Sequence, residues 1–148
     1  MKIGDFIGLD HVIVGLRIAD KAQLLQELAR RASIALALDQ RMIFDALQAR
    51  ENLGSTGLGK GLAVPHARLA TLPATFALFV RLARPIDFAS VDDRPVDLVV
   101  MLLTPVNAGS EHLATLAALS RPLRDEAFVH RVRQAPDAAA LHSLLAGA

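Results

Sequence analysis

Residues 54–66 read Gly-Ser-Thr-Gly-Leu-Gly-Lys-Gly-Leu-Ala-Val-Pro-His, four glycines, two hydroxyls and a lysine ahead of a short apolar run that ends in proline and histidine. Glycines let backbone N–H groups crowd together without Cβ interference, which suits the stretch to an anion. The histidine adds a second chemistry. Neutral imidazole is nucleophilic near neutral pH, where its ordinary pKa is about 6.5, and it forms covalent intermediates. The stretch therefore serves either a nucleotide's phosphates or a phosphoryl group carried by His66 itself.

The nucleotide reading fails on detail. Gly54, Gly59 and Lys60 fit the first seven positions of a phosphate-binding P-loop, but Gly61 stands where a Ser or Thr hydroxyl would hold Mg²⁺. A P-loop follows a strand and opens a helix; here a helix precedes, and Pro65 would fall inside the helix that should follow. The histidine reading finds its donors nearby. A phosphorylated ring needs strong donors, and Arg50 offers a planar fork. His112 lies in the first turn of a helix after Ser110, where a neutral ring and an adjacent anion are both favoured. Ser55 and Thr56 add hydroxyls, and Gly57 and Gly59 add backbone N–H groups. Each has a plainer reading. Arg50 could cap its own helix, His112 could be solvated, and Ser55 and Thr56 are ordinary turn residues. His11, His130 and His142 read as surface residues without a role. His66 and His112 lack a third metal ligand, so no metal is expected.

These residues must be positioned by the elements around them. Residues 1–10 form a short docking segment, and 11–16 read as a strand. Asp20 and Asp39 cap two successive amphipathic helices, the second ending at Arg50. Residues 62–64 make a short strand that Pro65 ends. Residues 74–83 alternate as a central strand, residues 84–88 and 91–95 are turns around an apolar anchor at Phe88, and 96–103 read as a strand buried on both faces. Ser110, Asp125 and Asp137 are expected to cap three further helices. Helices before, strands in the middle and helices after give an α/β fold: a small β-sheet sandwiched between helices on both faces.

Composition narrows the class. At 148 residues the chain has the length of one domain, expected to span 1–148. A net charge of +1, from 16 basic and 15 acidic residues interspersed, is no footprint for nucleic acid. Six Phe without Trp or Tyr offer little for stacking bases. No apolar run approaches the roughly 18 residues of a membrane span, so no membrane insertion is expected. With no cysteine and no leader-like start, the cytoplasm is the expected location.

Arg50-Glu51-x-Leu53-Gly54-Ser55-Thr56-Gly57-Leu58-Gly59-Lys60-Gly61-Leu62-Ala63-Val64-Pro65-His66 closely resembles the signature of the enzyme IIA domains of the mannitol/fructose type in the bacterial phosphoenolpyruvate-dependent phosphotransferase system. The likeness extends along the chain to His112, which follows an apolar strand and opens a helix. It implies a mixed sheet between helices. It also implies that His66 accepts a phosphoryl group from an HPr-like phosphocarrier protein, that His112 and Arg50 stabilise that group, and that no cofactor is needed. The compact chain looks most like the nitrogen-regulatory members, which signal by phosphorylation state to regulatory targets such as potassium transport or sensor-kinase proteins. A free-standing fructose/mannitol IIA that passes phosphate to a separate IIB for sugar uptake is the alternative. Two positions depart from the pattern. Lys60 stands where Asn or another small polar residue is common, and Ala67 stands where glycine is common, which puts in question whether the backbone there adopts a positive φ. Two other classes remain open at this stage, a nucleotide-binding enzyme and a binding module whose site is vestigial.

Overall fold

The computed structural model describes residues 2–148. Strand β1 (Val12–Leu16) is followed by helices α1 (Lys21–Leu36) and α2 (Gln40–Asn52), then by three short strands, β2 (Gly57–Gly59), β3 (Leu62–Ala63) and β4 (His66–Leu69). The long strands β5 (Phe76–Ile86) and β6 (Val96–Pro105) come next, and helices α3 (Glu111–Ser120), α4 (Glu126–Gln134) and α5 (Ala138–Ala146) close the chain.

All six strands form one mixed sheet in the order β1-β5-β6-β3-β2, with β4 also paired to β6. β5 and β6 are antiparallel, β1 runs parallel to β5, and β3 and β4 both run parallel to β6. Alternation on the two long strands divides the core. Leu78, Val80, Met101 and Leu103 face α1 and α2, while Ala77, Phe79, Val100 and Leu102 face the side of α4 and α5. Helices thus cover both faces, as the hydrophobic pattern requires.

The helix starts follow their caps. Asp20 accepts from Gln23 N–H at 2.8 Å, and Asp39, Asp125 and Asp137 each accept from the first turn of their helices. Ser110 is the exception: its backbone is already helical and its side chain makes no capping bond. In α2 the buried stripe reads Ile43, Leu47, Glu51, so the same spacing that buries two aliphatic residues turns a carboxylate inward.

Strand boundaries differ from the sequence reading where glycine and proline interrupt short elements. β5 runs on through Arg84 and Pro85, which the sequence assigns to a turn. Pairing slips between Arg81 and Ile86, and a proline is tolerated at such an irregularity. β6 extends to Pro105 because β4 pairs with Thr104 and Pro105. His11 sits in a single 3₁₀ turn ahead of β1, its ring 4.8 Å from that of Phe76. The glycine-rich stretch is a β-hairpin: Lys60 and Gly61 both have positive φ (57° and 84°), as a two-residue turn between β2 and β3 requires. Ala67 has no positive φ and sits within β4.

Candidate functional site

β3 and β4 run end to end along the same edge of β6, separated by Val64 and Pro65. Pro65 has no N–H to give the ladder, and the peptide groups of Val64 turn elsewhere. Val64 N–H donates to Thr56 O at 3.0 Å, and its carbonyl faces the imidazole of His66, 2.8 Å from Nδ1. A carbonyl can only accept, so Nδ1 carries the proton and Nε2 keeps its lone pair. Arg50 Nε–H donates to that Nε2 at 3.3 Å, and Arg50 Nη1 is held by Gly54 O at 2.9 Å. The break between β3 and β4 therefore fixes the tautomer of His66 and leaves Nε2 as the nucleophilic atom.

His112 comes from α3. Its ring centroid is 5.6 Å from that of His66, with the planes inclined by 50°. It is 6% exposed, so the solvated reading of this residue does not hold. Its Nδ1 lies 2.5 Å from Thr104 Oγ1, a fully buried hydroxyl near the end of β6. With Thr104 donating, His112 presents an Nε2–H, the tautomer able to donate to an anion. Burial pushes the pKa of both rings below the usual histidine value. For His66, the Val64 carbonyl opposes that shift, Arg50 adds to it and Glu51 opposes it. For His112, Arg68 and His66 add to it. Both rings are thus kept neutral, the form in which one attacks and the other donates a single hydrogen bond.

His66 lines a cavity of ≈ 220 Å³ together with Arg50, Ser55, Thr56, Gly57 and Leu58, among others. The structure thus brings together most of the residues singled out in the sequence, but with changed roles. Ser55 Oγ donates to Phe88 O at 3.2 Å, and Thr56 Oγ1 donates to Glu51 Oε1. Both hydroxyl protons are engaged in holding the loop. Gly57 packs against Ser90, where a Cβ would lie 2.3 Å from Ser90 Oγ, so only glycine fits there. Gly59 is at the far end of β2, beside Asp92. Lys60 points away from His66, its Nζ 3.1 Å from Glu126 Oε1.

Two contributors escaped the sequence reading. Glu51 is buried, bonded to Lys21 Nζ at 2.8 Å, to Thr56 N–H at 3.2 Å and to the Thr56 hydroxyl. It ties α1, α2 and the loop into one unit beside Arg50. Thr104 is the other. A threonine preceding a proline reads as a strand end, and nothing in the local pattern pairs it with a histidine eight residues later. Its strand partner Arg68 (β4) marks the same edge, and that register was not visible either.

Residues 5–147 match the family described as "Phosphoenolpyruvate-dependent sugar phosphotransferase system, EIIA 2". The chain is similar to a nitrogen regulatory protein of Bradyrhizobium diazoefficiens, 44% identical over 146 residues, which are 99% of this chain and 95% of the relative. It superposes on the nitrogen regulatory protein IIA-Ntr of Neisseria meningitidis with a TM-score of 0.91 at 32% identity, covering 97% of this chain and 98% of that one. The IIA-mannitol component of Escherichia coli, solved in complex with phosphorylated enzyme IIB-mannitol, shares the fold at TM-score 0.80 and 22% identity over 96% of this chain and 98% of that chain.

Proposed function

We infer that this chain, which belongs to the EIIA 2 family of the phosphoenolpyruvate-dependent sugar phosphotransferase system, is a phosphocarrier of the nitrogen-regulatory type that takes a phosphoryl group on His66 and signals by its phosphorylation state. The observation that carries the site is the tautomer: Nδ1–H is engaged by Val64 O, and Nε2 is open beside Arg50 and a second, neutral imidazole.

In the transfer, Nε2 attacks phosphorus as the N–P bond of the donor breaks, and the donor ring recovers its lone pair. The attacking ring gains positive charge, which the Val64 carbonyl and the nearby Glu51 carboxylate stabilise. Once the Nε2 lone pair is used, the Nε–H of Arg50 is released to a phosphoryl oxygen, and His112 Nε2–H supplies a second donor. An HPr-like phosphocarrier protein is the donor in this reading, and the consequence is read by a regulatory target such as a potassium transport or sensor-kinase protein. The apolar side chains of Leu53 and Leu113, 84% and 67% exposed, flank Arg50 and His112 in sequence and supply a docking rim. We place the chain in the cytoplasm, as one domain over 1–148; among the described residues no helix is long and apolar enough to cross a membrane.

Incubation with phosphoenolpyruvate, enzyme I and a carrier should produce acid-labile, histidine-linked phosphate that disappears in His66→Ala. Label retained in that variant would overturn the assignment. Arg50→Ala and His112→Ala should each slow transfer, with a thermal melt run beside the His112 variant because that ring is buried.

A further inference from the structure

Lys60, one of the departures from the family pattern, has no part in the chemistry of His66. Its backbone is held on both sides: its N–H donates to Asp92 Oδ2 at 2.8 Å, and its carbonyl accepts from Arg133 Nη2 at 2.9 Å. A Cβ on the adjoining Gly61 would lie 2.5 Å from that same Nη2, so glycine is what lets the guanidinium reach the turn. Next to this turn is a cavity of ≈ 290 Å³, distinct in its lining from the one at His66. Lys60, Arg94, Arg124, His130 and Arg133 line it, with Leu62, Leu123 and Val129 as apolar wall.

The charges there are unevenly partnered. Arg133 is held by Asp97 at 2.8 Å, and Asp92, whose pKa is lowered first by the N–H groups of Lys60 and Arg94, is lowered further by the Arg94 guanidinium. Lys60 reaches Glu126, the one acid in the lining, through an ion pair whose side chains are 66% and 81% exposed. Such a pair is worth no more than about 1 kcal/mol, so a better anion displaces it. The side chains of Arg124 and His130 have no hydrogen-bond or ion-pair partner among the described residues.

We propose that this cavity binds a small anion of the diphosphate class, held by Lys60, Arg124 and His130, with Arg133 bracing the turn behind them. A carboxylate such as Glu126 engages Lys60 alone. Two linked phosphoryl groups have the charge and the acceptors to engage Lys60 and Arg124 together, in a space that admits a small molecule. Lys60 and Gly61 are the turn of the hairpin whose β2 residues Gly57 and Leu58 wall the His66 cavity, so the occupant bears on that cavity through one short element. This coupling rests on His66 as phosphoryl acceptor; the binding does not.

The test is a ¹H–¹⁵N NMR titration of the full chain with sodium pyrophosphate at constant ionic strength with a metal chelator present. Saturable shifts are expected at Lys60, Gly61, Arg124 and His130, with smaller ones at Gly57 and Leu58, and a Kd of about 1 mM or below. Lys60→Asn, which keeps a residue tolerant of positive φ, and Arg124→Ala should each weaken binding roughly tenfold. Shifts that stay linear to about 10 mM, shifts as large at Arg17 and Arg84, equal affinity for sulfate, or unchanged affinity in both variants would overturn the site. Saturable binding in a chain that takes no phosphoryl label supports this site and counts against the phosphocarrier reading, which keeps the two failures apart.

Discussion

At the scale of single residues, the site depends on which nitrogen of each imidazole holds its proton. With Thr104 donating to Nδ1, His112 keeps its proton on Nε2, so Thr104→Val should slow phosphoryl transfer roughly tenfold while Thr104→Ser retains most of the rate, as measured by label uptake per unit time. Equal rates for wild type and the valine variant would refute that role. The depressed pKa values carry a second prediction. A folded state that holds His66 and His112 below the usual 6.5 binds fewer protons than the unfolded chain, so stability is complete above 6.5 and falls as pH drops toward the folded values. Glu27, held down at about 2 by Arg30 and Arg31, contributes in full above its ordinary 4.5 and loses that contribution only below it, so the two windows separate. Urea unfolding at pH 7.5 and about pH 5.5 should show the loss, and it should shrink in His66→Gln; no difference between the two proteins would exclude His66 as a source. His66 and Arg50 were legible in the sequence because both sit in one contiguous motif. Thr104 was not, since its bond to His112 depends on how β6 leads into α3.

At the scale of elements, the position of Arg50 depends on a buried polar joint. Glu51 closes α1, α2 and the loop at Thr56 onto one carboxylate, with Lys21 as its counter-ion. Glu51→Gln keeps the shape but removes the charge, leaving Lys21 partly buried without its partner. A loss of about 1–3 kcal/mol is expected in chemical denaturation, below the value for a fully buried pair because Lys21 remains partly exposed. A loss under about 0.5 kcal/mol would show that the joint is dispensable. The long, periodic elements could be read from the sequence: α1, α2, β5 and β6 all appear near their expected places. Elements of two to four residues could not, because β2, β3 and β4 take their pairing from β6 and from the hairpin turn rather than from their own pattern. Glu51 was hidden for a related reason, since a carboxylate on an amphipathic helix ordinarily marks the solvent side.

At the scale of the whole molecule, the sheet brings the second half of the chain to the first: α3 carries His112 to the open edge where β4 begins with His66. Helices on both faces were expected from the order of elements alone. The exposed apolar pair Leu53 and Leu113 lies to either side of this meeting point in the chain. Leu113→Glu, on an exposed position, should leave the melting temperature nearly unchanged while raising the concentration of carrier needed for half-maximal transfer by tenfold or so. An unchanged carrier dependence would place docking elsewhere.

The gap between β3 and β4 has one further consequence. Because the carbonyl of Val64 holds the near nitrogen of His66, attack can come only from the far one. With His66 as the proposed phosphoryl acceptor, a single regioisomer is expected, the tele (3-) phosphohistidine, where an unrestrained imidazole would give a mixture, and the missing proline N–H between two strands becomes a chemical selectivity.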